Sequence, residues 1–83
     1  MYLNIGSDAL IRISEITGIF DLDTATEAAV TKRFLKEKEK KGLVTQAGYE
    51  LPKSFVLTRD GRVYLSQFSA SALKNRAGDY RFG

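Results

Sequence analysis

The pair Asp60-Gly61, placed between two runs of strand-forming residues, constrains the fold of this chain more than any other feature. The runs are Ser54–Thr58 and a second one that begins at Val63. Asp-Gly is typical of two-residue hairpin turns, because both turn positions need a positive φ angle. Pro52, which has no amide hydrogen, precedes the first strand. The sequence therefore predicts a tight antiparallel β-hairpin.

A two-residue turn would also fix the register of this hairpin. Thr58 would lie opposite Val63, and Arg59 would lie opposite Arg62 at the tip. Like charges directly opposite each other repel, at a cost of about a few tenths of a kcal/mol. Folding alone would not favour this pair, so the arrangement indicates a binding role for the tip.

Three more short strands are predicted in the first 20 residues. Leu3 and Ile5 alternate with more polar neighbours, and Ala9–Ile13 repeats the alternation after a turn. Ile16–Phe20 has the composition of a third strand. Residues 46–49, which include a glycine, are expected to form a loop.

The main helix is predicted over residues 24–41. Thr24 and Glu27 have the spacing of a capping box, in which each side chain accepts a hydrogen bond from an unpaired amide at the helix start. Lys40-Lys41-Gly42 has the cations and the glycine that are typical of a helix end.

This helix has an apolar side and a basic side. Val30, Phe34 and Leu35 form the stripe that we expect to be buried. At about 100° per residue, the cations share the other side. They are Lys32, Arg33, Lys36 and Lys40.

A short final helix begins at Ser69 or Ser71, either of which can cap it, and continues through Arg76. Residues 1–76 are expected to form one domain, with residues 77–83 as a mobile tail. The fold class is therefore α+β: a small, β-rich domain with antiparallel strands and one main helix.

The charge is unevenly distributed along the chain. Residues 1–31 contain one basic and five acidic residues, a net charge of −4, whereas residues 32–83 contain twelve basic and five acidic residues, a net charge of +7. A basic surface attracts polyanions and releases counterions from phosphates. A solvated lysine-rich helix would have the same composition, so charge alone leaves both explanations open.

Catalytic chemistry is not indicated. The chain has no histidine and no cysteine, which removes the commonest general base, the thiol nucleophile and the preferred ligands of transition metals. Asp21 and Asp23 are closely paired carboxylates, and capping the following helix explains them. We therefore expect no enzyme activity, no cofactor and no metal site.

Size and hydropathy indicate where such a chain would act. No apolar run approaches the roughly 18 residues of a membrane span, and no secretory leader is recognisable, so we expect a cytoplasmic protein without a membrane partner. A chain of 83 residues has a small core. Burial against a second copy would add to that core, so a homo-oligomer is expected.

Several segments resemble the RemA/RemB family of bacterial extracellular-matrix regulators, and the RemB branch most. They are Tyr2–Asp8, Gly18–Asp21, Pro52–Ser54 and the serine-rich start of the last helix. The resemblance extends from Tyr2 to about Arg76. It implies a fold similar to the LytTR DNA-binding domain, transcriptional control of biofilm-matrix genes and, in the RemA branch, a ring-like homo-oligomer that contacts DNA through arginines.

The family's arginine positions hold other residues here. By the resemblance, an arginine pair ahead of one strand corresponds to Glu50 and Leu51, and a further arginine corresponds to Glu15. Lys53 and Arg12 are the nearest cations to those positions.

Two functions remain open at this point. The first is a DNA-binding regulator that uses Lys53, Arg12, the hairpin arginines Arg59 and Arg62, and the helix cations Lys32, Arg33, Lys36 and Lys40. The second is a protein-interaction module that docks on another protein, such as a RemA-type regulator. For the DNA-binding regulator, the sequence favours the hairpin arginines over the helix cations as the main DNA contact.

Overall fold

The computed structural model describes residues 1–25 and 28–78, which form two β-sheets and three helices. This confirms the α+β class. In chain order the elements are β1 (Tyr2–Gly6), β2 (Ala9–Arg12), a 3-10 turn (Ile13–Glu15), β3 (Ile16–Asp21), α1 (Leu22–Ala25), α2 (Ala29–Lys40), β4 (Val44–Ala47), β5 (Ser54–Thr58), β6 (Val63–Ser66) and α3 (Ala70–Ala77).

The larger sheet has four strands in the order β3-β5-β6-β4, and β1 and β2 form a separate antiparallel pair. β3, β5 and β6 are antiparallel, whereas β4 runs parallel to β6. The prediction of a loop at residues 46–49 is therefore wrong for Gln46 and Ala47, which pair with Leu65 and Ser66. A parallel pair is joined by a distant connection, so no local turn signal identifies it.

The main core lies on one face of the four-stranded sheet, under β1, β2 and α3. Ile5 and Leu73 are fully buried there, against Val56 of the sheet. Two buried serines of the four-stranded sheet form hydrogen bonds with the segments that pack on it. Ser66 Oγ donates to the carbonyl of Ile5, and Ser54 Oγ donates to the carbonyl of Phe68 at 2.7 Å. These bonds satisfy hydroxyls that would be costly to bury unpaired.

The other face of the sheet lies against α2. Because side chains alternate along a strand, Phe55 and Leu57 point away from the main core. They line a groove together with Phe34 of α2. None of the α2 side chains is fully buried: Phe34 and Leu35 are half-buried, and Val30 is 75% exposed. The predicted burial of Val30 is wrong, because the helix covers only part of the sheet.

In place of the single helix predicted over residues 24–41, the structure has two helices, α1 from Leu22 and α2 from Ala29. α1 begins at Leu22, and the Oδ1 of Asp21 accepts hydrogen bonds from the amides of Asp23 and Thr24, at 2.9 and 3.3 Å. Thr24 thus lies inside α1 instead of capping a long helix, because Asp21 already supplies the acceptor. Glu27, the other half of the expected capping box, lies outside the described residues. α2 ends at Lys40, close to the predicted end.

The hairpin between β5 and β6 forms, but its register differs from the prediction by one residue. The amide of Gly61 donates to the carbonyl of Thr58 at 3.0 Å, and the amide of Thr58 donates to the carbonyl of Arg62 at 3.1 Å. Leu57, not Thr58, therefore lies opposite Val63. The loop has three residues, with Gly61 at φ +83° in its last position.

α3 begins as predicted. Ser69 Oγ accepts a hydrogen bond from the amide of Ala72 at 3.1 Å and so caps the helix. The helix continues through Ala77, which is buried, so that residue belongs to the folded part instead of the tail. Of the predicted tail, residues 77–83, the structure describes only Ala77 and Gly78. Within residues 1–25 and 28–78, no helix is long and apolar enough to cross a membrane.

The positive φ of Gly61 leads to a prediction about stability. Gly61→Ala should lower the free energy of unfolding by about 1 kcal/mol, because a β-carbon is disfavoured in the left-handed region. Gly61→Asn should cost less, since asparagine tolerates that region better. Urea denaturation of the two variants and the wild type measures the difference. Equal stability of Gly61→Ala and wild type would contradict the positive φ of Gly61.

Candidate nucleic-acid interface

The outer side of α2 exposes the cations that the sequence assigned to it. Lys32, Arg33, Lys36 and Lys40 are all exposed. Among residues 1–25 and 28–78, the only ion pair within 4.0 Å joins Arg62 to Asp60. The α2 cations therefore have no carboxylate partner among the residues described, and we refer to this row as the α2 ridge.

A depression of about 630 Å³ lies beside the ridge and is lined partly by its residues. Leu35 gives it an apolar patch, and Glu39 is its one acidic residue. The other lining residues are Ala29, Lys32, Arg33 and Lys36. The ridge thus combines several cations that have no carboxylate partner among the described residues with a single acidic residue in the depression, which suits contact with an extended anion.

Lys38 lies on a different side of α2 from the ridge, and its position was not predicted. Its Nζ lies 5.5 Å from the centre of the Phe34 ring, in a cation–π contact. The same Nζ lies 3.2 Å from the position that a β-carbon would take at Gly61. The spacing of Phe34 and Lys38, four residues apart on one helix, is the sequence signal that could have indicated the contact. Lys38 therefore brings the C-terminal end of α2 next to the hairpin tip.

The hairpin arginines do not face each other. The amide of Arg59 donates to the carbonyl of Glu15, and its Nε donates to the carbonyl of Ser14, both at 2.8 Å. Arg62 lies across the strand pair from Thr58, and its Nε is 3.4 Å from Oδ2 of Asp60. The predicted repulsion between Arg59 and Arg62 is therefore wrong, because the extra loop residue separates them.

Asp60 organises the hairpin tip. Its Oδ1 accepts a hydrogen bond from Thr58 Oγ1 at 2.5 Å and another from the amide of Arg62 at 3.3 Å. The hydrogen bond from the Thr58 hydroxyl lowers the pKa of Asp60 below its ordinary 3.8, and the amide and charge of Arg62 act in the same direction. The tip therefore retains a negative charge between its two arginines.

Arg12 lies near the same end of the sheet. Its Nη2 donates to the hydroxyl of Tyr2 at 3.3 Å, and its guanidinium lies 5.8 Å from the centre of the Tyr2 ring. The hydrogen bond with Tyr2 raises the already high pKa of Arg12. A small depression of about 270 Å³ joins this arginine to the hairpin, and its lining includes Glu15, Thr58 and Asp60.

Lys53 lies at the opposite end of β5 from the hairpin tip. Its amide donates to the carbonyl of Ser66 at 2.8 Å, and its carbonyl accepts from the amide of Leu22 at 3.0 Å. At about 3.3 Å per residue, the five residues of β5 place it roughly 20 Å from Arg59 along the strand. The eight candidate cations thus form three groups: the α2 ridge, the hairpin end with Arg12, and Lys53 alone.

Comparison with known proteins gives the family. Residues 2–77 match the model of the RemA-like family, described as extracellular matrix regulatory protein A-like. The chain belongs to this family. It is also 36% identical over 77 residues to extracellular matrix regulatory protein B of Bacillus subtilis (strain 168), an alignment that covers 93% of this chain and 90% of the relative. The resemblance to the RemA/RemB family and its RemB branch is confirmed.

The positions that the resemblance assigns to family arginines lie on the surface. Glu15, Glu50 and Leu51 are all exposed. Glu15 lies beside the hairpin, since its carbonyl accepts from Arg59, whereas Glu50 and Leu51 lie in the loop between β4 and β5. The basic groups of this member of the family therefore lie elsewhere, most densely on α2.

The pKa of Asp60 provides a test of the hairpin geometry. Because its pKa is lowered in the folded state, the interaction stabilises the fold above pH 3.8 and is lost as the pH falls below that value. Thr58→Val removes the hydroxyl, so the pKa of Asp60 should rise towards its ordinary value. An NMR titration of the Asp60 carboxyl group measures this change. An unchanged titration midpoint would show that Thr58 does not donate to Asp60.

Proposed function

We propose that this protein is a non-enzymatic, DNA-binding transcriptional regulator of extracellular-matrix genes. It acts in the cytoplasm as a homo-oligomer and binds DNA through multivalent phosphate contacts. Family membership supports the regulatory role. The α2 ridge supports the mode of binding.

The α2 ridge is the observation on which the DNA proposal rests. Lys32, Lys36 and Lys40 recur every fourth residue, so at 1.5 Å per residue they lie about 6 Å apart along the helix. A row of exposed ammonium groups with no partner among the described residues can approach a phosphate backbone without first breaking an ion pair. Each phosphate it neutralises releases counterions and adds to affinity at low salt.

The hairpin is a secondary contact in this proposal. Lys38 brings the end of α2 next to Gly61 of the hairpin tip, whereas the ridge lies on a different side of the helix. Arg62 is paired with Asp60, and Arg59 is bonded to a backbone carbonyl close to Glu15. Asp60 lowers the net positive charge at the tip, and the hydrogen bond to the carbonyl of Ser14 occupies the Nε of Arg59. We therefore rank the α2 ridge above the hairpin, in contrast to the ranking that the sequence favoured.

The ranking is tested by two double variants that remove the same charge. Lys32→Ala/Lys36→Ala should weaken DNA binding more than Arg59→Ala/Arg62→Ala. It should also reduce the slope of log affinity against log salt by about 1.8, since each phosphate contact contributes roughly 0.9. Mobility shifts over a salt series measure both effects.

Three other results are informative in the same assay. Equal or reversed effects of the two double variants would show that the hairpin carries the main contact. Binding without sequence preference would indicate a nucleoid-associated role instead of a specific regulator. Absence of a shift with any genomic fragment at low salt would eliminate the DNA proposal.

A protein-interaction module is the second candidate function. The loop between β4 and β5 favours it, because Tyr49 and Leu51 are 99% and 86% exposed and flank the acidic Glu50. Large apolar side chains of this kind are common anchors in protein interfaces. In nuclease-treated extract, this function predicts that the protein retains a specific partner, such as a RemA-type regulator. A DNA-only regulator would retain none.

A further inference from the structure

The dipeptide Asp60-Gly61 at the hairpin tip differs in its chemistry from the other aspartate positions of the chain. Of the five aspartates in the sequence, Asp60 is the one that a glycine follows. Because glycine has no β-carbon, its main-chain nitrogen can closely approach the side chain of the preceding residue. The side chain of Asp60 is 60% exposed, so water reaches it. These features make the dipeptide a candidate site of covalent rearrangement.

The rearrangement in question converts the aspartate to isoaspartate and needs no co-reactant other than water. The main-chain nitrogen of Gly61 attacks Cγ of Asp60, and as the N–Cγ bond forms the carboxyl hydroxyl leaves with the amide proton as water. Water then adds to the main-chain carbonyl carbon of Asp60 in the succinimide ring, and the bond from that carbon to the Gly61 nitrogen breaks. The main chain now passes through Cβ and Cγ, the α-carboxylate is free, and the mass is unchanged.

The folded hairpin restrains the attacking nitrogen. The amide of Gly61 donates to the carbonyl of Thr58 at 3.0 Å. Attack on Cγ requires the nitrogen to give up this proton, so the hydrogen bond to the carbonyl must first be broken. Ring closure is therefore slower while the turn is closed.

The carboxyl group of Asp60 is restrained as well. Its Oδ1 accepts from Thr58 Oγ1 at 2.5 Å and from the amide of Arg62 at 3.3 Å, and its Oδ2 lies 3.4 Å from Nε of Arg62. These contacts fix the orientation of the carboxyl group and favour its ionised form. The ionised form has no hydroxyl group to lose, so it is poorly suited to ring closure.

Thr58 takes part in both restraints. Its carbonyl accepts from the nucleophile, and its hydroxyl donates to the carboxyl group that would be attacked. Thr58 is only 6% exposed, and its amide pairs with the carbonyl of Arg62. Both restraints are therefore lost together when this end of the hairpin opens.

We propose that Asp60-Gly61 is a modification site gated by the hairpin, at which Thr58 suppresses isoaspartate formation in the folded protein and opening of the tip permits it. The product adds one main-chain atom to the three-residue loop. It also converts the side-chain carboxyl that accepts from the amide of Arg62 into a main-chain amide. A modified chain therefore cannot restore the original loop, and its free α-carboxylate is a substrate for isoaspartyl carboxyl methylation.

The first experiment follows isoaspartate in the full-length wild-type chain, folded and unfolded. The protein is incubated in a mildly acidic buffer with and without guanidinium chloride, and circular dichroism checks both states. Isoaspartate is quantified by enzymatic methyl transfer and located by peptide mapping. At residue 60 it should accumulate several-fold faster in the unfolded chain. Asp8, which alanine follows, is the internal reference and should react more slowly than Asp60 in the unfolded chain.

Two results of this experiment would overturn the proposal. Equal rates at residue 60 in the folded and unfolded chains would show that the hairpin gives no protection. Absence of isoaspartate at residue 60 in the unfolded chain would show that the dipeptide is not a modification site. Both results come from wild type, so they do not depend on the folding of any variant.

The second experiment assigns the protection to the Thr58 hydroxyl. In the folded state Thr58→Val, which lacks the hydroxyl, should form isoaspartate several-fold faster than wild type, whereas Thr58→Ser, which retains it, should react at a rate close to wild type. In guanidinium chloride the three chains should react at the same rate, because residue 58 is not one of the reacting pair. Equal rates for folded Thr58→Val and wild type would overturn the role of Thr58.

Discussion

The register between β5 and β6 decides which side chains this small protein buries and which it exposes. Ser54 lies opposite Ser66, and their hydroxyls donate to the carbonyls of Phe68 and Ile5, outside the four-stranded sheet. Because side chains alternate along a strand, the same register directs Phe55 and Leu57 to the α2 side. A slip of one residue would move the side chains of β6 to the opposite face. The main core, the groove and the hairpin tip all depend on this pairing.

α2 contributes two surfaces because the rest of the fold covers it so little. None of its side chains is fully buried, yet its apolar side closes over Phe55 while its basic side remains exposed. A helix of this kind obtains part of its stability from a partner or leaves apolar area in water. In the proposed function the exposed basic side contacts phosphates, whereas the apolar side packs on the sheet.

The basic surface of this chain differs from the one that the family resemblance implies. Glu50 and Leu51 occupy the positions of an arginine pair, in a loop whose exposed side chains are apolar and acidic. A loop with that chemistry suits protein contact better than phosphate contact. The densest row of exposed cations among the described residues lies instead on α2. In the proposed function, DNA binding would therefore use elements other than the arginine positions of the family.

The sequence by itself determined the fold class and the approximate position of most elements, because these depend on local periodicity, capping and turn residues, and the resemblance of several segments indicated the family. It identified the β1, β3 and β5 strands, the cap at Ser69 and the exposed lysines of α2. Only the tertiary structure decided the rest. The parallel pairing of β4 with β6 and the exposure of Val30 depend on contacts between distant segments. The hairpin register depends on whether Gly61 is the second or third loop residue, which Asp-Gly alone does not specify. Side-chain partners such as Ser14 for Arg59 arise only once strands from distant parts of the chain lie side by side.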